Sequence, residues 1–299
     1  WDVKTGDPDI IVAVLDTGIS KSHEDLIDNL YIVQGSDCID GDDDPSDTKY
    51  DEKEGDVRFS HGTHVAGIIS AITNNKEGIA GVAWNVKIMP IRVLDSKGEG
   101  TIAAIVDGIE LAITNGAKVI NLSLGGNGTS ETLIKAIDNA IKAGITVVAA
   151  AGNDGKSIVA FPANYEKVIA VSALDETGAK ASYSNYGSAI DLCAPGGNFP
   201  VTMPSIQMIL STTYDKLNKE DSYVFMSGTS QAAPHISGLA ALLYASGVTS
   251  PTDVEKRLKT GCIDLGTTGV DDYYGNGLPD AYAVLSGSPP EMTNVKVFI

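Results

Sequence analysis

Three short blocks carry side chains that could do chemistry together. The first is Phe225-Met226-Ser227-Gly228-Thr229-Ser230-Gln231-Ala232-Ala233-Pro234-His235. It sets Ser230 where a glycine-led turn runs into a small-residue helix predicted over Gln231–Leu243. The hydroxyl can be held rigidly there, and the serine's own amide is one of the unpaired donors of a helix N-terminus. A nucleophilic hydroxyl beside an oxyanion stabiliser needs that environment, although a plain helix cap would look the same. The second block, Ile10-Ile11-Val12-Ala13-Val14-Leu15-Asp16-Thr17-Gly18, reads as a strand buried on both faces. Asp16 stands at its carboxyl end, where open α/β sheets gather their active sites. Asp-Thr-Gly also suits a simple turn or an aspartic-protease fragment, but the latter wants a second copy, and the chain has none. The third block, Ser60-His61-Gly62-Thr63-His64-Val65-Ala66-Gly67, puts His61 in the first turn of a helix and His64 one turn inward. Two metal ligands are the competing reading. Zincins, however, place their histidines at i, i+4 around a glutamate, and here the spacing is i, i+3 with no glutamate.

The chain order Asp…His…Ser is the one that serine hydrolases of the subtilisin type use. On these blocks the chain resembles the subtilisin-like serine proteases, from about Asp9 to about Leu285. The resemblance implies Ser230 as nucleophile, His61 as general base and acid, and Asp16 as the carboxylate that orients the imidazole. A fourth block, Val147-Val148-Ala149-Ala150-Ala151-Gly152-Asn153-Asp154-Gly155, looks like another buried strand ending in a turn. By resemblance Asn153 supplies the oxyanion-hole amide, although alone it would pass for a turn residue. The family keeps His64 and His235 as buried packing residues. His23 sits in an exposed-looking turn with no evident role.

The elements that must position these groups alternate. Strands are predicted at Ile10–Leu15, Lys87–Leu94, Lys118–Ser123 and Thr146–Ala151. Helices are predicted at His61–Ile72, Thr101–Thr114 and Ser130–Ala143, with shorter strands and two closing helices after them. This pattern predicts an α/β fold, doubly wound, with a mostly parallel central sheet and helices on both faces; the resemblance implies the subtilisin-like fold. The 299 residues, 43% of them hydrophobic, suit one large domain, taken as 1–285, with a linker-like tail at 286–299 in which Asn294–Ile299 turns strand-like. No twenty-residue apolar run spans a membrane, and a net charge of −18 argues against nucleic acid and anionic membranes as partners. Of the cysteines Cys38, Cys193 and Cys262, a Cys38–Cys262 disulfide is one possible pairing, and Cys193 reads as a small buried apolar residue. The family implies secretion, a propeptide as an early partner, protein and peptide substrates, and a monomer; the abrupt start at Trp1 reads as a processed form.

Carboxylates crowd between Asp37 and Asp56, offset there only by Lys49 and Lys53. Asp40, Asp42, Asp44 and Asp47 project at loop spacing, a density of hard oxygen ligands that suits Ca²⁺, though not in an EF-hand; a solvated, repelling loop is the plain alternative. The resemblance implies two further calcium sites. One would use Asp25 and Asn75 with the carbonyls of Thr73, Glu77 and Ile79. The other would use Asp191 with the carbonyls of Ala163, Tyr165 and Val168. It also implies that Gly98-Glu99-Gly100 and Ser123-Leu124-Gly125 are two edges between which a substrate lies as an added strand. Ala160 would line a first specificity pocket with room for large apolar side chains, and Glu99 and Asp154 would favour basic substrates. Gln231 stands where the family usually has an oxidisable Met. Gly197–Ser222 is longer than in compact members, with an extra loop expected at Thr202–Ile209. A non-catalytic binding or processing module that kept the fold is the competing functional class.

Overall fold

A computed structural model describes residues 1–198 and 207–290. The apolar runs form a six-stranded parallel sheet in the order β2-β1-β3-β4-β5-β6. Its strands are β1 (Ile11–Asp16), β2 (Lys87–Arg92), β3 (Val119–Leu122), β4 (Thr146–Ala150), β5 (Ile169–Leu174) and β6 (Leu192–Pro195). Alternate residues feed two cores, because successive side chains of a strand point to opposite faces. Val12, Val14, Val119 and Val148 pack under α1 (His61–Ser70) and α4 (Thr229–Ala245). Ala13, Leu15, Ile120 and Val147 pack under α2 (Ile102–Thr114) and α3 (Glu131–Lys142). The doubly wound α/β architecture expected from the alternation is therefore present.

The strand order reverses at β1, whose neighbours are β2 and β3. Such a switch point opens a crevice beyond the carboxyl ends of the strands. Asp16 ends β1 and Ser123 directly follows β3, so both stand at that crevice.

After β6 comes an antiparallel hairpin, β7 (Ile209–Asp215) and β8 (Glu220–Met226). The alternation of strand and helix gives no sign of it. It lies along α1: a Cβ at Gly67 would collide with the hydroxyls of Ser211 and Thr212, so only glycine lets hairpin and helix meet this closely. Three side chains of β7 donate to carbonyls of the helix or its cap, Ser211 to His64 (2.8 Å), Thr212 to Thr63 (2.7 Å) and Thr213 to Ser60 (3.2 Å). Of the extra loop expected at Thr202–Ile209, the part to residue 206 lies outside the described residues, as does Asn294–Ile299, and Ile209 opens β7.

The chain closes with α5 (Pro251–Thr260), β9 (Cys262–Ile263), β10 (Leu278–Pro279) and α6 (Ala281–Ser286). The Cys38–Cys262 pairing does not hold. All three cysteines are free, and Cys38 packs against one core while Cys262 packs against the other, across the sheet.

Candidate active site

His61 is the first residue of α1, capped by the Ser60 hydroxyl, which accepts from the Thr63 amide. Its ring Nδ1 donates to Asp16 Oδ1 over 2.7 Å, and the Thr17 amide donates to the same oxygen at 2.7 Å. Asp16 is fully buried and its Oδ2 has no partner. The imidazole and the Thr17 amide thus converge on one carboxylate oxygen. The approach depends on Gly62, where a Cβ would collide with the Gly18 carbonyl and press on Asp16. Burial works to lower the His61 pKa, but the charge and hydrogen bond of Asp16, with Asp47 behind it, outweigh burial and hold it above the ordinary value.

Ser230 is the second residue of α4. The other five α-helices open with a Ser, Thr or Asp side chain capping a backbone amide; α4 has Gly228 at its cap and no such bond. The Ser230 N–H is therefore a first-turn donor without an intrahelical acceptor. Pro234 lies inside the helix and cannot donate to the Ser230 carbonyl four residues back. The Ser123 hydroxyl donates to that carbonyl instead at 2.8 Å, while Ser230 Oγ donates to the Ser123 carbonyl at 3.1 Å. No hydrogen bond joins Ser230 to His61 in this state, a looseness common before substrate binds.

Asn153 follows the turn after β4. Its side-chain oxygen accepts from both the amide and the hydroxyl of Thr229, each at 2.9 Å. That turns its NH₂ group toward a small pocket of about 220 Å³ lined by Gly125, Gly152, Ala160 and Ser230. Thr229, which also accepts from the Gly152 amide at 3.1 Å, went unnoticed in the sequence because it sits inside the serine block and looks like helix start. A larger groove of about 760 Å³ adjoins, lined by His61, Leu94, Gly98, Glu99, Gly100, Ser123, Leu124 and Gly125. Among the described residues no backbone partner takes the amides and carbonyls of Gly100, Leu124 and Gly125. Both expected edges thus border one groove with backbone groups to spare.

The remaining histidines are structural. His64 is fully buried, its Nε2 donating to the Ile209 and Val224 carbonyls at 3.2 and 3.1 Å, and burial pushes its pKa down to about 3. His235 is only half-buried, short of the burial expected for it, and bonds the Gln231 carbonyl through Nδ1 at 2.8 Å. His23 is buried rather than exposed: it bonds the Ser222 carbonyl at 3.0 Å and meets the Tyr223 ring edge-on.

The carboxylates expected to bind calcium fall into three cases. Asp25 is fully buried, accepts from the Asn75 amide and the Ile79 N–H (3.0 Å), and among the described residues no Lys or Arg pairs with it. The Glu77 amide donates to Asn75 at 3.2 Å, and Thr73 precedes them in the same loop. An uncompensated buried carboxylate beside an amide oxygen fits a hard cation. The acidic loop does not fit one. Asp40 pairs with Lys49 and Arg92, Asp44 with Lys21, Asp42 accepts from the Asp44 amide, and Asp47 is buried against Lys216. Three of these carboxylates face different cations and the fourth faces a backbone amide, and among the described residues no group of three or more His, Cys, Asp or Glu side chains converges on a metal position. Asp191 does not fit either, since the Lys259 ammonium stands 2.7 Å from its Oδ1 and the Ala170 amide 2.9 Å from its Oδ2. Of its expected companions, Ala163 is buried in the core and Tyr165 donates to Asp138, with the Val168 amide bonded to the Tyr165 carbonyl.

The profile described as "Subtilase family" matches residues 7–277. A thermophilic serine proteinase from Bacillus sp. (strain AK1) is 44% identical over 247 residues, covering 83% of this chain and 55% of that protein's length. Thermitase from Thermoactinomyces vulgaris is 37% identical over 282 residues, covering 94% of this chain and 90% of thermitase. A protease structure from Pseudoalteromonas arctica PAMC 21717 superposes with a TM-score of 0.85 at 38% identity, covering 96% of this chain and 92% of the other. With the fold, the family profile and these relatives in agreement, the chain belongs to the subtilase family and is a subtilisin-like serine protease.

Proposed function

We propose that the chain is a secreted endopeptidase that cleaves peptide bonds through Asp16, His61 and Ser230, with a covalent acyl-enzyme between its two steps. The observation that carries this reading is the 2.7 Å bond from His61 Nδ1 to the buried Asp16 carboxylate. It commits the ring to the tautomer whose Nε2 can take the Ser230 proton and return it to the leaving amine. Attack by Ser230 Oγ on the substrate carbonyl then develops an oxyanion. The Asn153 NH₂, turned by Thr229, and the free Ser230 N–H would receive it. A substrate would lie as an extra strand between Gly98–Gly100 and Ser123–Gly125. Its residue before the cut would enter the small pocket walled by Gly125, Gly152 and Ala160, whose size leaves room for a large apolar side chain.

Calcium belongs to this reading at one place. Asp25, Asn75 and the carbonyls of Thr73, Glu77 and Ile79 would hold it, and it would neutralise a buried charge. The substrates are proteins and peptides, the propeptide is the partner before maturation, and the mature chain acts as a monomer. Residues 1–285 are the catalytic domain under this reading.

A fluorophosphonate probe tests the proposal. It should label Ser230, label it far more slowly after Asp16→Asn, and fail to label Ser230→Ala. Unlabelled wild-type protein would point instead to a binding module that kept the fold.

A further inference from the structure

Beside the triad lies a buried ion pair that the reaction as described does not use. Lys216, in the turn of the β7–β8 hairpin, is 2% exposed, and Asp47, in the acidic loop, is 3% exposed. Lys216 Nζ stands 2.5 Å from Asp47 Oδ1. Asp47 Oδ2 in turn accepts from the Thr17 hydroxyl. Both residues border the groove alongside His61. A buried pair of this kind is a poor stabiliser, because desolvating two ions offsets their attraction. What it does supply is direction.

Thr17 has a single hydroxyl proton, and an ionised carboxylate only accepts. The Thr17 hydroxyl must therefore donate to Asp47, which leaves its lone pairs for the Gly62 amide, 3.1 Å away. Gly62 is the residue after His61, and its N–H is a first-turn donor of α1. The Thr17 amide meanwhile bonds the same Asp16 oxygen that receives His61. Thr17 thus holds both partners of the His61–Asp16 bond, and Asp47 sets which way Thr17 faces.

We propose that Lys216 is a positioning residue of the protease: through Asp47 and Thr17 it holds the first turn of α1, and with it His61, in register with Asp16. This rests on the triad reading above and adds the hairpin to it. The hairpin is strapped to the segment before His61, with the Lys216 amide on the Arg58 carbonyl at 3.0 Å, the Ser60 amide on the Tyr214 carbonyl at 3.1 Å, and Arg58 gripping Asp215 through Nε at 3.0 Å and Nη2 at 2.6 Å. Those bonds deliver the ammonium to a site it could not reach from an exposed loop. Without the ammonium, the buried carboxylate loses its counter-charge and either takes up a proton or draws in water, and each changes the acceptor that Thr17 faces.

Steady-state kinetics on a peptide amide, scaled to active sites titrated with a fluorophosphonate, separate this from a packing role. Lys216→Met and Thr17→Val should each lower kcat at least about tenfold with KM within about twofold, the size expected of a small misplacement of reacting groups. Asp47→Asn combined with Lys216→Met should recover most of the loss, because a neutral amide accepts from Thr17 with no counter-ion. Packing alone would lower the number of titratable sites and the melting temperature and leave kcat per site intact. Wild-type kcat per site in Thr17→Val, or no recovery in the double variant, overturns the proposal. Thr17→Val keeps the ion pair, so an unchanged kcat per site there overturns the proposal even if Lys216→Met does not fold. Wild-type protein that takes no label would overturn the triad reading and this one with it.

Discussion

Acid should loosen this protein through His64, which takes no part in the reaction. The ring is fully buried, Nε2 is shared between two hairpin carbonyls, and Nδ1 has no partner. A proton on Nδ1 would be a buried charge with nothing to receive it, so the folded chain holds the neutral form down to about 3. In the unfolded chain the same ring titrates at its ordinary 6.5. Between those values the unfolded state binds more protons, and stability falls as pH falls. From pH 7.5 to pH 5 the two pKa values give a loss of about 2 kcal/mol from this one residue. Urea unfolding measures it, in a Ser230→Ala background that removes self-digestion. His64→Asn should lower stability at neutral pH but lose about 2 kcal/mol less than its parent on going to pH 5. If both proteins lose stability in parallel, the acid sensitivity lies elsewhere and the reading of His64 is wrong.

Other outcomes follow from the site. Asn153→Ala should lower kcat roughly 100- to 1,000-fold with little change in KM, the magnitude known for the same donor in subtilisin itself. Stopped assays over a pH series should place the acid limb of kcat/KM above 6.5, because the neutral His61 ring is required and Asp16 holds its pKa above that value. Chelation should lower the melting temperature of the wild type and leave Asp25→Asn unchanged by comparison. At free calcium a thousandfold above its dissociation constant, one site is worth about 4 kcal/mol. Lys259→Met should add no second calcium-binding event in calorimetry, because the Ala170 amide still holds Asp191 Oδ2.

The three residues of the proposed triad stood out because each sits in a block whose backbone demands are severe. Asp16 ends an apolar strand, His61 and Gly62 open a helix that must touch that strand, and Ser230 opens a helix with no capping side chain. β1, β3 and β4 were legible as runs buried on both faces. The hairpin was not. Ser211, Thr212 and Thr213 are buried yet polar, so they give neither an apolar run nor a clean alternation, and their burial is made affordable by carbonyls of α1 that no local pattern predicts. The acidic loop misled for a related reason. Composition showed many carboxylates close together, but not that Lys21, Arg92 and Lys216 arrive from distant segments to answer them one by one.

The strand order carries a consequence for how the protein comes into being. Asp16 leaves the ribosome early and Ser230 late, and the helix bearing the serine packs across β3, β4 and β5 only once those are laid down. Until that helix docks, Asp16 and Ser230 stay on separate elements with the crevice between them incomplete. Under the proposed mechanism, cutting can begin only after this last packing step.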